Sequence, residues 1–120
     1  MTEVYADLHF EAAHRLPNVP EWHRCARLHG HSYRVRVTVR GPVEARSGWV
    51  VDFAVVEHAA GSLVAQLDHR TLNDVKGLEN PTAEHIARWL WNGIEPLLPG
   101  LWAVTVEEGQ GMGCTYRGRE

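Results

Sequence analysis

Three histidines and one cysteine in the first third of the chain have types and spacing that could support chemistry. His29 and His31 are two residues apart, so on a β-strand both imidazole rings lie on the same face. His14 supplies a third imidazole from a separate segment. Three neutral imidazoles suit Zn²⁺, and a site with only three protein ligands keeps a coordination position for water or substrate. The pattern therefore predicts a catalytic metal centre.

Cys25, four residues before His29, admits three interpretations. Beside a divalent cation and Arg24, its thiol would lose a proton readily near neutral pH and could act as a base. It could instead be a fourth zinc ligand, which would make a closed structural site, or an inert buried thiol. The spacing alone does not choose between these roles.

Positive charge is concentrated around these positions, although the whole chain has a net charge of −3. Residues 15–40 contain six arginines and one acid, a local charge of +5, which favours an anionic small substrate such as a phosphate ester. Arg15, Arg24 and Arg27 flank the histidine and cysteine positions and are the better candidates for binding it. The arginines of the following strand are explained equally well by a solvated strand face. A pI near 6.2 argues against nucleic-acid binding.

Length and composition indicate an ordinary globular protein. The 120 residues are expected to form a single domain over residues 1–120, with 44% apolar and 22% charged residues. No apolar run approaches the roughly 18 residues that span a bilayer, so we expect no membrane partner. The first residues lack the pattern of a secretory signal, and two cysteines are too few for a disulfide framework. We therefore expect a cytoplasmic location.

Hydrophobic periodicity predicts an α+β fold with the element order ββααββ. Strands are expected over residues 4–14, 31–40, 101–108 and 114–117, and helices over residues 53–67 and 83–95. Asp52 and Thr82 are the expected N-caps, and the apolar positions of the first helix run from Val55 to Leu67. These elements predict a four-stranded antiparallel sheet with two helices packed on one face.

Four polar residues of the predicted sheet continue apolar stripes. His14 continues the stripe of the first strand, and His31 that of the second, as does His29 if the strand begins early. Glu108 continues the stripe of the third strand, which begins at Trp102. Solvated residues are not expected at such positions, so this correlation matters for function. A β-bulge in any strand would break this inference.

Seven short motifs, spread in order over nearly the whole chain, support a more specific interpretation. They occupy residues 10–17, 25–31, 48–53, 67–69, 72–74, 79–82 and 113–118. In these motifs the chain resembles the 6-pyruvoyl-tetrahydropterin synthase family, and within it the bacterial 6-carboxy-5,6,7,8-tetrahydropterin synthase branch.

The resemblance implies a fold, an assembly and a reaction. The fold would be the tunnelling fold, in which three ββααββ subunits close a barrel and two trimers stack into a homohexamer. The substrate would be 7,8-dihydroneopterin triphosphate. The products would be 6-carboxy-5,6,7,8-tetrahydropterin, acetaldehyde and triphosphate, in the queuosine pathway.

The resemblance also implies a role for each site residue. The implied roles are zinc binding for His14, His29 and His31, proton removal for Cys25, proton return for Asp68 and His69, and pterin binding for Glu108 and Thr82. The Asp68–His69 pair would reach the active site of a neighbouring subunit.

Two alternatives stay open at this point. One is the same scaffold forming the 6-pyruvoyl product from the same substrate. The other is a small interaction module with a structural zinc ion and Cys25 as its fourth ligand.

Overall fold

The predicted α+β architecture is confirmed, with one additional strand. The structure is a computed structural model and describes residues 1–119. Its strands are β1 (Thr2–His14), β2 (His29–Gly41), β3 (Arg70–Thr71), β4 (Leu101–Glu108) and β5 (Gly113–Tyr116). Its α-helices are α1 (Phe53–Val64) and α2 (Ala83–Ile94). Within residues 1–119 the sheet thus has five strands, in the order β3-β1-β2-β4-β5, rather than the predicted four.

The extra strand, β3, was not predicted because it is very short. It contains only two residues, which pair in parallel with Ala12 and Ala13 of β1. Two residues are too few to give an alternating pattern. The remaining strand pairs are antiparallel, as predicted.

The long β1–β2 hairpin follows from alternation of apolar and polar residues in both strands, which is strict in β2 from Tyr33 to Arg40. Apolar residues lie on one face, where Phe10 and Tyr33 are paired and their rings stack with centroids 4.6 Å apart. The other face carries charged residues such as Arg34 and Arg36. Because side chains alternate with a period of two, this pattern fixes the register. The same register places His14 directly opposite His29.

Both helices pack on the apolar face of the sheet and share one core with it. The side chain of Asp52 accepts a hydrogen bond from the Ala54 N–H (2.9 Å), and Thr82 caps α2, so both predicted N-caps are confirmed. α1 ends at Val64 and α2 at Ile94, a little earlier than predicted, because the chain continues into turns. Among residues 1–119 we find no helix with the length and apolar character needed to cross a membrane.

Two side chains lie elsewhere than predicted. Val55 is 47% exposed, because the buried stripe of α1 is narrower than the apolar pattern and passes beside it. Trp102 is the extra residue of a bulge, since Thr38 pairs with Ala103 and Val39 pairs with Leu101. Its ring therefore leaves the apolar stripe and lies against the Arg40 guanidinium, 4.3 Å from the ring centroid.

Candidate active site

The three predicted histidines meet where the apolar face of the hairpin ends. His14 is the last residue of β1, and its partner His29 is the first residue of β2. His31 follows on the same face, opposite Ala12. One ligand atom from each ring lies within 4.8 Å of the others. The prediction that these rings converge is confirmed.

Hydrogen bonds orient two of the three rings for metal binding. Nδ1 of His14 lies 2.7 Å from the carbonyl oxygen of Pro81, and Nδ1 of His29 lies 2.7 Å from that of Arg27. A carbonyl only accepts, so each Nδ1 carries the proton and donates it, which leaves each Nε2 lone pair for a metal. Burial lowers the pKa of His14, whose side chain is 2% exposed, and so favours its neutral, ligating form.

The site is suited to a small divalent cation such as Zn²⁺. Zn–N distances of about 2.0–2.1 Å place the nitrogens of a tetrahedral site about 3.3 Å apart. The observed separations of up to 4.8 Å need only small ring movements to reach that value. Within the residues that the structure describes, neither Cys25 nor Glu108 belongs to the group that could hold the ion. A three-histidine site with an open position fits this arrangement better than a closed one.

A cavity of about 470 Å³ joins this group to other reactive side chains. Its lining residues are His14, Leu16, Arg24, Cys25, His29, His31, Glu108 and Met112. Glu108 pairs with Tyr33 at the end of β4, and its Oε2 lies 3.7 Å from Nε2 of His14. Glu108, which continues the apolar stripe of β4 as predicted, therefore faces the histidines. The cavity brings a thiol, a carboxylate and a guanidinium together around one potential metal site.

Cys25 lies on a short 3₁₀ turn, Arg24–Ala26, before β2. The residue as a whole is half-buried. The Cys25 carbonyl oxygen accepts a hydrogen bond from the Leu16 N–H at 2.8 Å, and its N–H donates to Nδ1 of His23 at 3.0 Å. The loop is thereby tied to the residues that follow His14.

Asp68 and His69 form a pair at a different place. Their side chains are 3.0 Å apart, and both residues are held by the backbone of Glu11. The Glu11 N–H and the His69 imidazole hold the pKa of the Asp68 carboxyl below its ordinary value. The His69 side chain is 79% exposed and lines a second cavity of about 500 Å³. In the described part of the chain, the pair does not line the cavity that contains Cys25.

Three more residues were predicted to bind the substrate, namely Thr82, Arg15 and Arg27. In the part of the chain that the structure describes, none of them lines the Cys25 cavity. Thr82 caps α2 by accepting the His85 N–H at 3.1 Å, while its own N–H donates to the Asn80 carbonyl. Arg15 and Arg27 are exposed beside the cavity's histidine and cysteine segments. Ligand contacts by these three residues stay predictions.

Two cavity residues were not named as candidates. Leu16 and Met112 are its aliphatic members. Leu16 lies two residues after His14, a position that could have drawn attention to it. Met112 lies in the glycine-rich turn after β4, where the sequence gives no periodicity to show which way a side chain points.

The structure separates the two groups of arginines. On the charged face of the sheet, Arg34 donates two hydrogen bonds to Glu107, and Arg36 donates two to Asp7. These strand arginines are therefore compensated by acids of neighbouring strands. Arg24, by contrast, lines the histidine cavity.

Comparison with known proteins agrees with this geometry. The family profile described as 6-pyruvoyl tetrahydropterin synthase matches residues 3–119. A 6-carboxy-5,6,7,8-tetrahydropterin synthase of Synechocystis is 43% identical over 111 residues, which cover 88% of this chain and 84% of that protein. A dihydroneopterin monophosphate aldolase of Pyrococcus furiosus is 40% identical over 91 residues, covering 76% of this chain and 73% of that protein. The structure of Caenorhabditis elegans 6-pyruvoyl tetrahydropterin synthase superposes with a TM-score of 0.90 at 28% identity, covering 98% of this chain and 96% of that one. The chain belongs to the 6-pyruvoyl tetrahydropterin synthase family.

Proposed function

We propose that the protein is a zinc-dependent 6-carboxy-5,6,7,8-tetrahydropterin synthase. It would convert 7,8-dihydroneopterin triphosphate to 6-carboxy-5,6,7,8-tetrahydropterin, acetaldehyde and triphosphate. The observation that carries this proposal is the open three-histidine group that shares a cavity with Cys25 and Glu108. The 43% identity to a Synechocystis protein of that name supports this choice of product.

Glu108 is the proposed anchor for the pterin ring. Its carboxylate faces the cavity from the end of β4 and is partly exposed, so it can accept hydrogen bonds from a ligand. The 2-amino group and N3–H of a pterin present two parallel donors, which a carboxylate accepts as it accepts a guanidinium. Thr82, near the Pro81 carbonyl that orients His14, is the proposed second contact to the ring.

The triphosphate is proposed to bind the arginines of the 15–27 segment. Arg24 lines the cavity, and the exposed Arg15 and Arg27 flank it along the chain. Guanidinium groups bind phosphate oxygens in a bidentate manner, which makes these residues suitable partners for a polyphosphate. Arg34 and Arg36 are less available because they bind Glu107 and Asp7.

Cys25 is the proposed base that removes a carbon-bound proton from the substrate side chain. Its thiol lines the same cavity as the three histidines and Arg24, so it can reach a substrate held there. A zinc ion held by His14, His29 and His31 would supply Lewis acidity toward the side-chain hydroxyls of the substrate. The Asp68–His69 pair is the proposed donor that returns a proton, with the carboxylate holding the imidazole.

These proposed roles of Cys25 and of the Asp68–His69 pair place residues of two subunits in each active site. Because Asp68 and His69 lie away from the Cys25 cavity of their own chain, we propose that they complete the site of a neighbouring copy. In the described chain, β3 pairs with β1 only at Ala12 and Ala13, so most of the outer edge of β1 is open. β5 forms the other edge of the sheet. Edge-to-edge pairing of three copies would close a barrel, and two such trimers would give the proposed hexamer.

The biological setting is part of the same proposal. The protein would act as a single tunnelling-fold domain in the cytoplasm, on a small-molecule substrate rather than on nucleic acid or a membrane. Its product would enter queuosine biosynthesis.

Incubation of the zinc-loaded protein with 7,8-dihydroneopterin triphosphate tests the reaction. We expect stoichiometric acetaldehyde, triphosphate and a carboxylated pterin. A 6-pyruvoyl product without acetaldehyde would assign the protein to the pyruvoyl reaction instead. The Pyrococcus furiosus relative motivates a second substrate, 7,8-dihydroneopterin monophosphate. Aldol cleavage of that compound would release glycolaldehyde phosphate and a hydroxymethyl pterin, and formation of these products at a higher rate would support the aldolase activity.

A further inference from the structure

We propose that His23 is a positioning residue for Cys25. The inference rests on the proposed function, in which the Cys25 thiol is the base. His23 is the N-cap of the turn Arg24–Ala26, with an extended backbone (φ −69°, ψ 133°). Its ring atom Nδ1 accepts a hydrogen bond from the Cys25 N–H at 3.0 Å. The imidazole of one residue thus holds the backbone of the residue that carries the thiol.

Hydrogen bonds, rather than packing, determine where this turn lies. None of its three residues is buried. The Cys25 carbonyl oxygen is held by the Leu16 N–H at 2.8 Å, and the Ala26 N–H donates to the His23 carbonyl oxygen at 2.9 Å. The backbone of Cys25 is therefore fixed on its carbonyl side by Leu16 and on its amide side by the His23 ring. Removing the ring acceptor releases the amide side alone.

The acceptor in His23 has a close substitute among the natural side chains. Nδ1 is the atom that accepts the hydrogen bond from the Cys25 N–H. Nδ1 is separated from Cα by Cβ and Cγ, and Oδ1 of asparagine is separated from Cα by the same two atoms. Asparagine is also a favoured N-cap, whose side chain accepts the N–H two or three residues on. His23→Asn should keep the hydrogen bond to Cys25, and His23→Ala should remove it.

The proposal predicts a large effect on turnover and a small one on binding. A displacement of about 1 Å in a reacting group can lower the rate by about 100-fold. We expect His23→Ala to lower kcat for 7,8-dihydroneopterin triphosphate by about 10- to 100-fold, with KM within about threefold of the unsubstituted protein. We expect His23→Asn to restore kcat to within about threefold. Metal content should stay the same in both variants, because His23 is outside the three-histidine group.

Amide hydrogen exchange, resolved to single residues, tests the contact itself without any substrate. Exchange at the Cys25 N–H should accelerate in His23→Ala by at least tenfold and return to its original rate in His23→Asn. The Ala26 N–H is the internal reference, since it donates to a backbone carbonyl that both variants retain. Unchanged Cys25 exchange in His23→Ala, or a His23→Asn variant as slow in turnover as His23→Ala, would overturn the proposal. If the unsubstituted protein forms no carboxylated pterin, the proposed function fails, while the exchange measurement still decides whether His23 holds Cys25.

Discussion

Mixing two inactive variants tests whether each active site is built from two chains. Cys25→Ala removes the proposed base and leaves the Asp68–His69 pair intact. Asp68→Asn removes the carboxylate of that pair and leaves the Cys25 cavity intact, because neither Asp68 nor His69 lines that cavity in the described chain. Loss of a general acid or base costs about 10²- to 10⁴-fold in rate, so each variant alone should keep at most about 1% of the activity.

The expected recovery of activity equals the fraction of sites in which the two neighbouring chains are different variants in the right order. When the two variants are co-expressed in equal amounts, a site is intact if its own chain is the Asp68→Asn variant and its donor neighbour is the Cys25→Ala variant. Random assembly gives that combination in about one quarter of the sites of a closed ring. If each site used only its own chain, no chain would carry both groups, and the activity would stay near 1% of the original.

The assay compares mixed assemblies with the parents. Differently tagged variants are co-expressed, and assemblies that carry both tags are isolated by successive affinity steps. Their rate of acetaldehyde release per subunit is then compared with that of each parent. A 1:1 mixture of the separately purified parents, kept too short a time for exchange, is the control and should show no recovery. Mixed assemblies with activity near the parental 1%, although both tags are present, would refute the shared site.

Four further predictions concern single chains. Cys25→Ala should keep one zinc ion per chain by metal analysis, with Cys114→Ala as the control, and loss of the metal would show that the sulfur is a ligand. Glu108→Gln should raise KM by about 10- to 100-fold, because an amide has one acceptor oxygen where the carboxylate has two. The Arg36 guanidinium holds the pKa of Asp7 below its ordinary value. Asp7 therefore stabilises the fold above a pH of about 4 and loses that effect as the pH falls further. Asp7→Asn should lower Tm at pH 7, and the difference in Tm between the variant and the unsubstituted protein should disappear in acid. Gly113→Ala places a Cβ 2.5 Å from a backbone carbonyl oxygen, and it should lower the free energy of unfolding by about 1–3 kcal/mol in a thermal unfolding experiment. Gly30→Ala is the control and should change that free energy little, because the nearest atom to its Cβ lies at 3.6 Å.

Much of the fold was predictable because the two longest strands alternate apolar and polar residues along most of their length. The alternation sets which residues face the core, and it thereby sets the pairing of His14 with His29. The alternation within β4 likewise predicts that Glu108 lies on this face, since no bulge interrupts β4 after Ala103. The helix caps at Asp52 and Thr82 were predictable for a local reason, because capping depends on one side chain and the next two or three amides.

The errors arise where a local pattern does not determine the contact. The bulge at Trp102 depends on how two distant strands pair, which the parity of one strand cannot show. The hydrogen bonds that hold Cys25 come from Leu16 and His23, across a loop without periodicity. The direction of Met112 depends on a turn that contains Gly109 and Gly111, both with positive φ.

The metal site and the strand register depend on the same pattern. The apolar stripe of the hairpin does not stop at the end of the sheet but continues into three imidazoles, of which His14 is fully buried. Burying that ring is tolerated because its Nδ1–H has a carbonyl acceptor, and the same burial favours the neutral form that binds a metal. A slip of one residue between β1 and β2 would turn His29 and His31 toward the charged face and would expose the apolar stripe. The core that stabilises the hairpin therefore also selects the one register in which the three nitrogens converge.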